Sequence, residues 1–166
     1  MVVLPLIIWC PMREVVPLLS SKVCSTALLL LSIMNFIIWN NRGALKPNFQ
    51  GHIRYLVQEH NLAILVVMDT KLGGDRAKAI TDKMPFDGAI HTNTIGYSGG
   101  LWLLWNSDFV EVELLAKIEQ EIHIEVQVRN SRLNWLFSAI YASPKSEERS
   151  ILWDNLANVA ELHKLP

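Results

Sequence analysis

Four residues that end or follow apolar runs are of types that handle phosphate and metal. Asn40 and Arg42 stand in "IIWNNRG", Asp69 closes "LAILVVMD", and Tyr141 follows "NWLFSAI". A carboxylate is a hard oxygen ligand suited to Mg²⁺, while an amide and a phenol orient a phosphate or a water. A guanidinium meets phosphate with a planar fork of donors. Each has an ordinary structural reading beside this one. Asn at a strand end forms turns, Asp before Thr-Lys caps, Tyr packs in cores, and Arg is solvated or paired with a carboxylate. What joins them is position, because ligands of α/β sheets collect at strand ends, where loops place side chains over a rigid base.

The elements that must position them follow from periodicity. "NFIIWN" and "LAILVVM" have continuously apolar centres and fit strands covered on both faces. Between them "PNFQGHIRYLVQEHN" changes to a helical period, with Phe49, Ile53, Leu56 and Val57 on one face and Asn48 placed to cap it. "DRAKAITDKM" predicts a second short helix with Ala77, Ile80 and Met84 on one side. Strands then dominate: "FDGAIHTN" and "GGLWLLWN" flank the turn "TIGYSGG", and "NSD" marks another turn. "FVEVELLAKI" and "IHIEVQV" alternate, so Glu121, His123, Glu125 and Gln127 share the face opposite Ile122, Ile124, Val126 and Val128. After the hairpin "RNSR" comes the strand "LNWLFSAIYA". The helix "SEERSILWDNLANVAELHK" follows, with Ser146 as the expected cap and Ile151, Leu152, Leu156, Val159 and Leu162 as its apolar face. The fold class is therefore α/β, with helices flanking a mixed, mostly antiparallel sheet.

At 166 residues the chain has room for one domain with a substantial core, and its net charge of −1 advertises no general attraction to nucleic acid. Cys10 and Cys24 form no CxxC pair and indicate neither a zinc site nor a disulfide framework. Residues 1–39 carry only Arg13, Glu14 and Lys22 as charged side chains. "VCSTALLLLSIMNFIIW" is near the lower length limit for a membrane helix. Pro5, Pro11 and Pro17 interrupt what precedes it, and the first basic residue follows the first apolar stretch, the wrong order for a secretory signal. Residues 1–33 are read as an apolar extension, non-domain or membrane-associated, and residues 34–166 as the domain.

Four stretches in order, "MNFIIWNNRG", "ILVVMDTKL", "GYSGGLWLLW" and "AIYASP", resemble the endonuclease/exonuclease/phosphatase superfamily. The nearest likeness is the apurinic-endonuclease-like domain of plant LINE-type (non-LTR) retrotransposons, and it runs from about Met34 onward. The resemblance implies the N-terminal half of a four-layer α/β sandwich and descent from a Mg²⁺-dependent enzyme that nicks DNA. It makes Asn40 the active-site asparagine beside the metal carboxylate and phosphate, and Tyr141 the tyrosine at the scissile phosphate. It places Asp69 where the family has a Mg²⁺-binding glutamate, and leaves Arg42 as a candidate phosphate contact. Trp39 reads as core packing, Gly43 as a turn residue, and "SGG" at 98–100 as a structural turn.

Two departures bear on activity. Aspartate for glutamate draws the carboxylate back by one methylene, on the order of 1.5 Å, in a site with strict metal geometry. The family's later motifs, a Gly-Asp-Phe-Asn strand end and a terminal Ser-Asp-His, have no counterpart, and none of the five histidines matches that machinery. His123-Ile124-Glu125 has the look of a deaminase His-x-Glu, but no Pro-Cys-x-x-Cys follows, so it reads as a strand face. The expectation is a truncated retroelement endonuclease domain without activity, with DNA as its ancestral partner; the location is open, nuclear for a retroelement product and membrane if the N-terminal segment is an anchor. The alternatives are a membrane-anchored or interaction protein using the fold as a scaffold, and a phosphomonoesterase of the same superfamily. With half a sandwich, one sheet face is expected to lie partly bare at Trp102, Leu104, Val126 and Val128, inviting self-association.

Overall fold

The computed structural model describes residues 35–163, apart from 42, 96, 97, 130, 132 and 144 and the side chains of Ile95 and Ser98. The N-terminal extension and Arg42 lie outside the described residues, so the membrane and phosphate-contact readings attached to them do too. Among the described residues no helix is long and apolar enough to cross a membrane.

The apolar runs become strands as their composition predicts. β1 (Asn35–Asn40) and β2 (Leu62–Met68) are parallel neighbours, joined by helix α1 (Phe49–His60). Every residue of β2 is buried, as expected of a strand covered on both faces. After helix α2 (Gly74–Thr81) comes β3 (Gly88–His91), and β4 (Thr94–Ile95) and β5 (Ser98–Gly99) make a small hairpin. β6 (Leu101–Trp105) then runs antiparallel to both β2 and β3, giving the order β1-β2-β6-β3. A second, wholly antiparallel sheet follows, with β7 (Val110–Lys117), β8 (Glu121–Val128) and β9 (Asn134–Ile140) in that order. Helix α3 (Ser146–Leu162) comes last.

The α/β class, the mostly antiparallel pairing and the flanking helices are as expected, but the strands are divided between two sheets that close on one another. Ile64, Val66 and Met68 of β2 and Leu101 and Leu103 of β6 share one core with Ile122, Ile124 and Val126 of β8 and Phe137 and Ala139 of β9. On the opposite face of the first sheet, Leu65, Val67, Trp102 and Leu104 pack against Phe49 and Ile53 of α1 and Ala77 of α2. Trp39 belongs to that core, its ring stacked 5.3 Å from Phe49, which meets Trp102 edge-on. Helix α3 lays Leu152 and Leu156 on the outer face of the second sheet. The layers are helices, sheet, sheet, helix.

This arrangement corrects the expectation of a bare inner face. Trp102, Leu104 and Val126 are fully buried and Val128 nearly so. Burying one such side chain contributes about 1.5–3 kcal/mol, enough that two apolar sheet faces close on each other when both are available. Two caps also differ. Asn48 does precede α1, but in a left-handed conformation (φ 68°) with no side-chain capping bond. Lys145, not Ser146, stands before α3. The apolar face of α3 is narrower than expected, because Ile151 and Leu162 point to solvent.

A candidate phosphate and metal site at the ends of β1 and β2

Parallel pairing brings two of the candidate residues together. Asn40, the last residue of β1, stands in register with Met68, the last of β2, and Asp69 is the next residue. Backbone bonds then lash the two departing loops to one another. The Asn41 N–H donates to the Met68 carbonyl at 3.1 Å and the Ala44 N–H to the Thr70 carbonyl at 2.9 Å. Asn41 folds its own turn, donating from Nδ2 to the Gly43 carbonyl at 2.8 Å, while Lys46 Nζ donates to the Asn41 carbonyl at 2.9 Å. Gly43 has φ 112°, which only glycine adopts freely, so this turn depends on it.

The loop after β2 is more constrained. Asp69 (φ 54°) and Lys71 (φ 59°) are left-handed, a conformation that costs a non-glycine residue on the order of 1 kcal/mol. It persists because the flanking hairpin holds it. Thr70 N–H donates to the Gly100 carbonyl and Lys71 N–H to the Gly99 carbonyl, at 3.1 and 2.9 Å. Thr70 is fully buried, its hydroxyl donating to the Leu72 carbonyl at 3.1 Å; the Trp102 indole N–H donates to the same carbonyl at 3.0 Å. Gly100 (φ +84°) has no room for a Cβ, which would stand 2.4 Å from Thr70 Oγ1. The "SGG" turn is thus the brace of the Asp69 loop, which gives its structural reading a cause.

One atom in this region is unsatisfied. Asn40 Oδ1 is buried and accepts no hydrogen bond from the described residues, which in a folded protein asks for an explanation. Asp69, the residue after Met68, is half-buried. A buried amide oxygen on the last residue of one strand and a carboxylate one residue past the end of its parallel neighbour are oxygen donors of the kind that take a hydrated hard cation or a water on a phosphate. Mg²⁺ commonly takes one or two carboxylates from the protein and completes its shell with waters and phosphate oxygens. The residues present fit such an ion in part: among the described residues no three His, Cys, Asp or Glu side chains converge.

Tyr141 enters from the second sheet. It is half-buried against the core between the sheets, and its N–H donates to the Gln120 carbonyl at 2.8 Å. The histidines are placed elsewhere. His52 lies against the Trp39 ring, and His91 Nε2 is 3.0 Å from Thr81 Oγ1.

His123 and its neighbours form a second polar cluster that alternation alone did not reveal. On the outer face of the second sheet, Glu121, His123 and Ser138 are all buried beneath α3. His123 Nε2 is 2.9 Å from Glu121 Oε2, its Nδ1 is 2.8 Å from Ser138 Oγ, and Asn155 of α3 donates to Glu121 Oε1 at 2.8 Å. With Glu121 ionised, Nε2 carries a hydrogen. The Ser138 hydroxyl then donates to Nδ1 of a neutral ring or accepts from a charged one. The cluster satisfies itself and pins the helix. Its only sequence signal was polar residues recurring every second position on a strand that a helix follows.

No protein-family model matches this sequence, and neither does any curated protein. The fold, by contrast, has solved counterparts. The AP endonuclease LMAP from Leishmania major superposes with a TM-score of 0.53, at 16% identity, over 77% of this chain and 45% of that one. A humanized TDP2 from D. rerio gives 0.51, at 14% identity, over 76% and 58%. The 3′ phosphatase NExo from Neisseria, bound to a product DNA hairpin, gives 0.50, at 16% identity, over 75% and 50%. The fold is that of the endonuclease/exonuclease/phosphatase-type enzymes, and the chain spans about half the length of the structures it matches.

Proposed function

We propose that this chain is a DNA-directed relative of the phosphodiester-cleaving endonucleases, of retroelement type, that binds a divalent cation and phosphate without efficient hydrolysis. The observation that carries this reading is the buried Asn40 Oδ1 at the end of β1, without a hydrogen-bond partner among the described residues, with Asp69 one residue past its register partner Met68. In it Asp69 holds Mg²⁺ through its carboxylate. Asn40 steadies that carboxylate or a bound water, and Tyr141 and Arg42 contact the phosphodiester. When bound, the ion neutralises phosphate charge and polarises a water. The chain's own residues then orient the phosphate over the strand ends and exclude water on the Trp39 side, where the core is packed. A general base is the part this reading does not assign among the described residues. Among the described residues, His91 and His123 are engaged in other contacts and His52 lies against Trp39.

Thermal unfolding with and without Mg²⁺ tests the binding half of this reading, because a ligand specific to the folded state raises Tm. The expected result is a Tm increase with Mg²⁺ that disappears in Asp69→Ala and in Asn40→Ala. Plasmid nicking tests the other half, with the expected result no faster than background. Indifference of the parent chain to Mg²⁺ sinks the cation site, and nicking abolished by Asp69→Ala shows that the chain is an active enzyme.

A further inference from the structure

The two sheets end on the same side of the sandwich in strands that nothing among the described residues pairs with. β1 is one edge of the first sheet and β9 one edge of the second. Phe36 of β1 meets Phe137 of β9 edge-on, ring centres 6.3 Å apart, so the two free edges are stacked. The seam is apolar and incompletely covered: Phe36, Ile37, Ile38 and Trp39 are half-buried, whereas every residue of the adjacent β2 is buried. On β9, Trp135 and Ile140 are half-buried as well.

Exposed edges are ordinarily protected by charge, bulges, brevity or a covering element. The opposite edges of this sandwich show those devices. β7 carries Glu111, Glu113 and Lys117 and a register shift between Leu114 and Ala116. β3 is four residues long and has α2 packed on it. By contrast, "NFIIWN" and "NWLFSAI" hold no charged residue and no proline. Among the described residues, protection is present on one side of the sandwich and absent from the other, in both sheets.

We propose that the stacked β1/β9 edges are a pairing surface, and that the occupant is a second copy of this chain. Identical strands pair antiparallel about a two-fold axis, and uncharged edges do so without placing like charges opposite each other. A second copy also contributes further strands to both sheets, in a fold whose solved counterparts this chain matches over only about half of their length. The dimer so formed extends both sheets across the seam and covers the half-buried aromatics.

Sedimentation velocity on the full chain provides the test, read together with amide hydrogen exchange. The parent is expected to dimerise, and protection of the β1 and β9 amides to rise with protein concentration. Asn35→Lys with Asn134→Lys places charge on both edges. Each lysine can still serve as a donor, to the His60 carbonyl and the Glu125 carboxylate that the asparagines now reach. This double variant is expected to keep its circular dichroism and to weaken association at least tenfold, while Glu113→Lys on β7 leaves association unchanged. A parent monomeric at all concentrations overturns the proposal, as does a folded double variant that dimerises like the parent. Protection of β1 and β9 that is independent of concentration overturns it too, by showing that another segment or a different protein covers the edges.

Discussion

In the proposed site, Asp69 serves cation binding and fold at cross-purposes. Its left-handed backbone suits glycine better than aspartate, yet in the proposed site its carboxylate is the group that would hold the cation. Asp69→Gly is therefore expected to raise the stability of the metal-free chain by about 1 kcal/mol or less, while removing the response to Mg²⁺. Chemical denaturation with and without the ion reads both effects. A loss of stability in this variant would mean that the carboxylate, rather than the brace from Gly99 and Gly100, sets the loop. His91 carries the pH dependence at this scale. Burial holds its imidazole below the usual 6.5, Lys117 and Lys78 add to that, and Asp82 opposes it. A histidine lowered in the folded state resists protonation there, so the unfolded chain takes up more protons as pH falls below about 6.5. Its stability contribution is complete above that pH and is lost as pH falls through the folded value. Denaturation midpoints at pH 7 and pH 5 should differ in that direction, and by less in His91→Gln.

Among the elements, α3 is the one whose attachment rests on polar chemistry. Leu152 and Leu156 supply a narrow apolar contact, and Ile151 and Leu162 none. The bond from Asn155 to Glu121, itself paired with His123, completes the attachment. Removing Glu121 leaves the buried His123 ring and the half-buried Asn155 amide without their acceptor, at a cost of about 1–3 kcal/mol for each unsatisfied group. Glu121→Ala is expected to lose stability on that scale, and limited proteolysis should then cut within α3 before the rest of the chain. Unchanged denaturation and cleavage would show that the apolar contacts alone hold the helix. Here the sequence was legible only in part. The alternation of β8 was evident, but the face of Glu121 and His123 read as an ordinary polar one. What buries it is a helix about thirty residues farther along the chain.

At the scale of the molecule, the decisive event is the closure of one sheet on the other. Ile124 is fully buried in the core that both sheets share. Its truncation to alanine is expected to cost about 2–5 kcal/mol. Because that core is common property, tryptophan fluorescence and far-ultraviolet circular dichroism should report one coincident transition, in the variant as in the parent. Separate transitions for the two sheets would show that they fold as independent layers. The same closure moves the question of self-association from the sheet faces, which are covered, to the edges of β1 and β9.

What the sequence determined by itself is local and periodic. Runs of apolar residues set β1 and β2, the change to a 3.6-residue repeat set α1, and polar residues at the ends of β1, β2 and β9 marked the candidate positions carried into the proposed function. These follow from side-chain spacing along one segment, which needs no partner to be read. The tertiary structure alone decided which faces meet. Whether Trp102 and Val126 are bare or buried, whether His123 is solvated or enclosed, and whether Asn40 finds a partner for its oxygen all depend on segments distant in the chain. Burial is a property of two surfaces, and a sequence shows only one of them at a time.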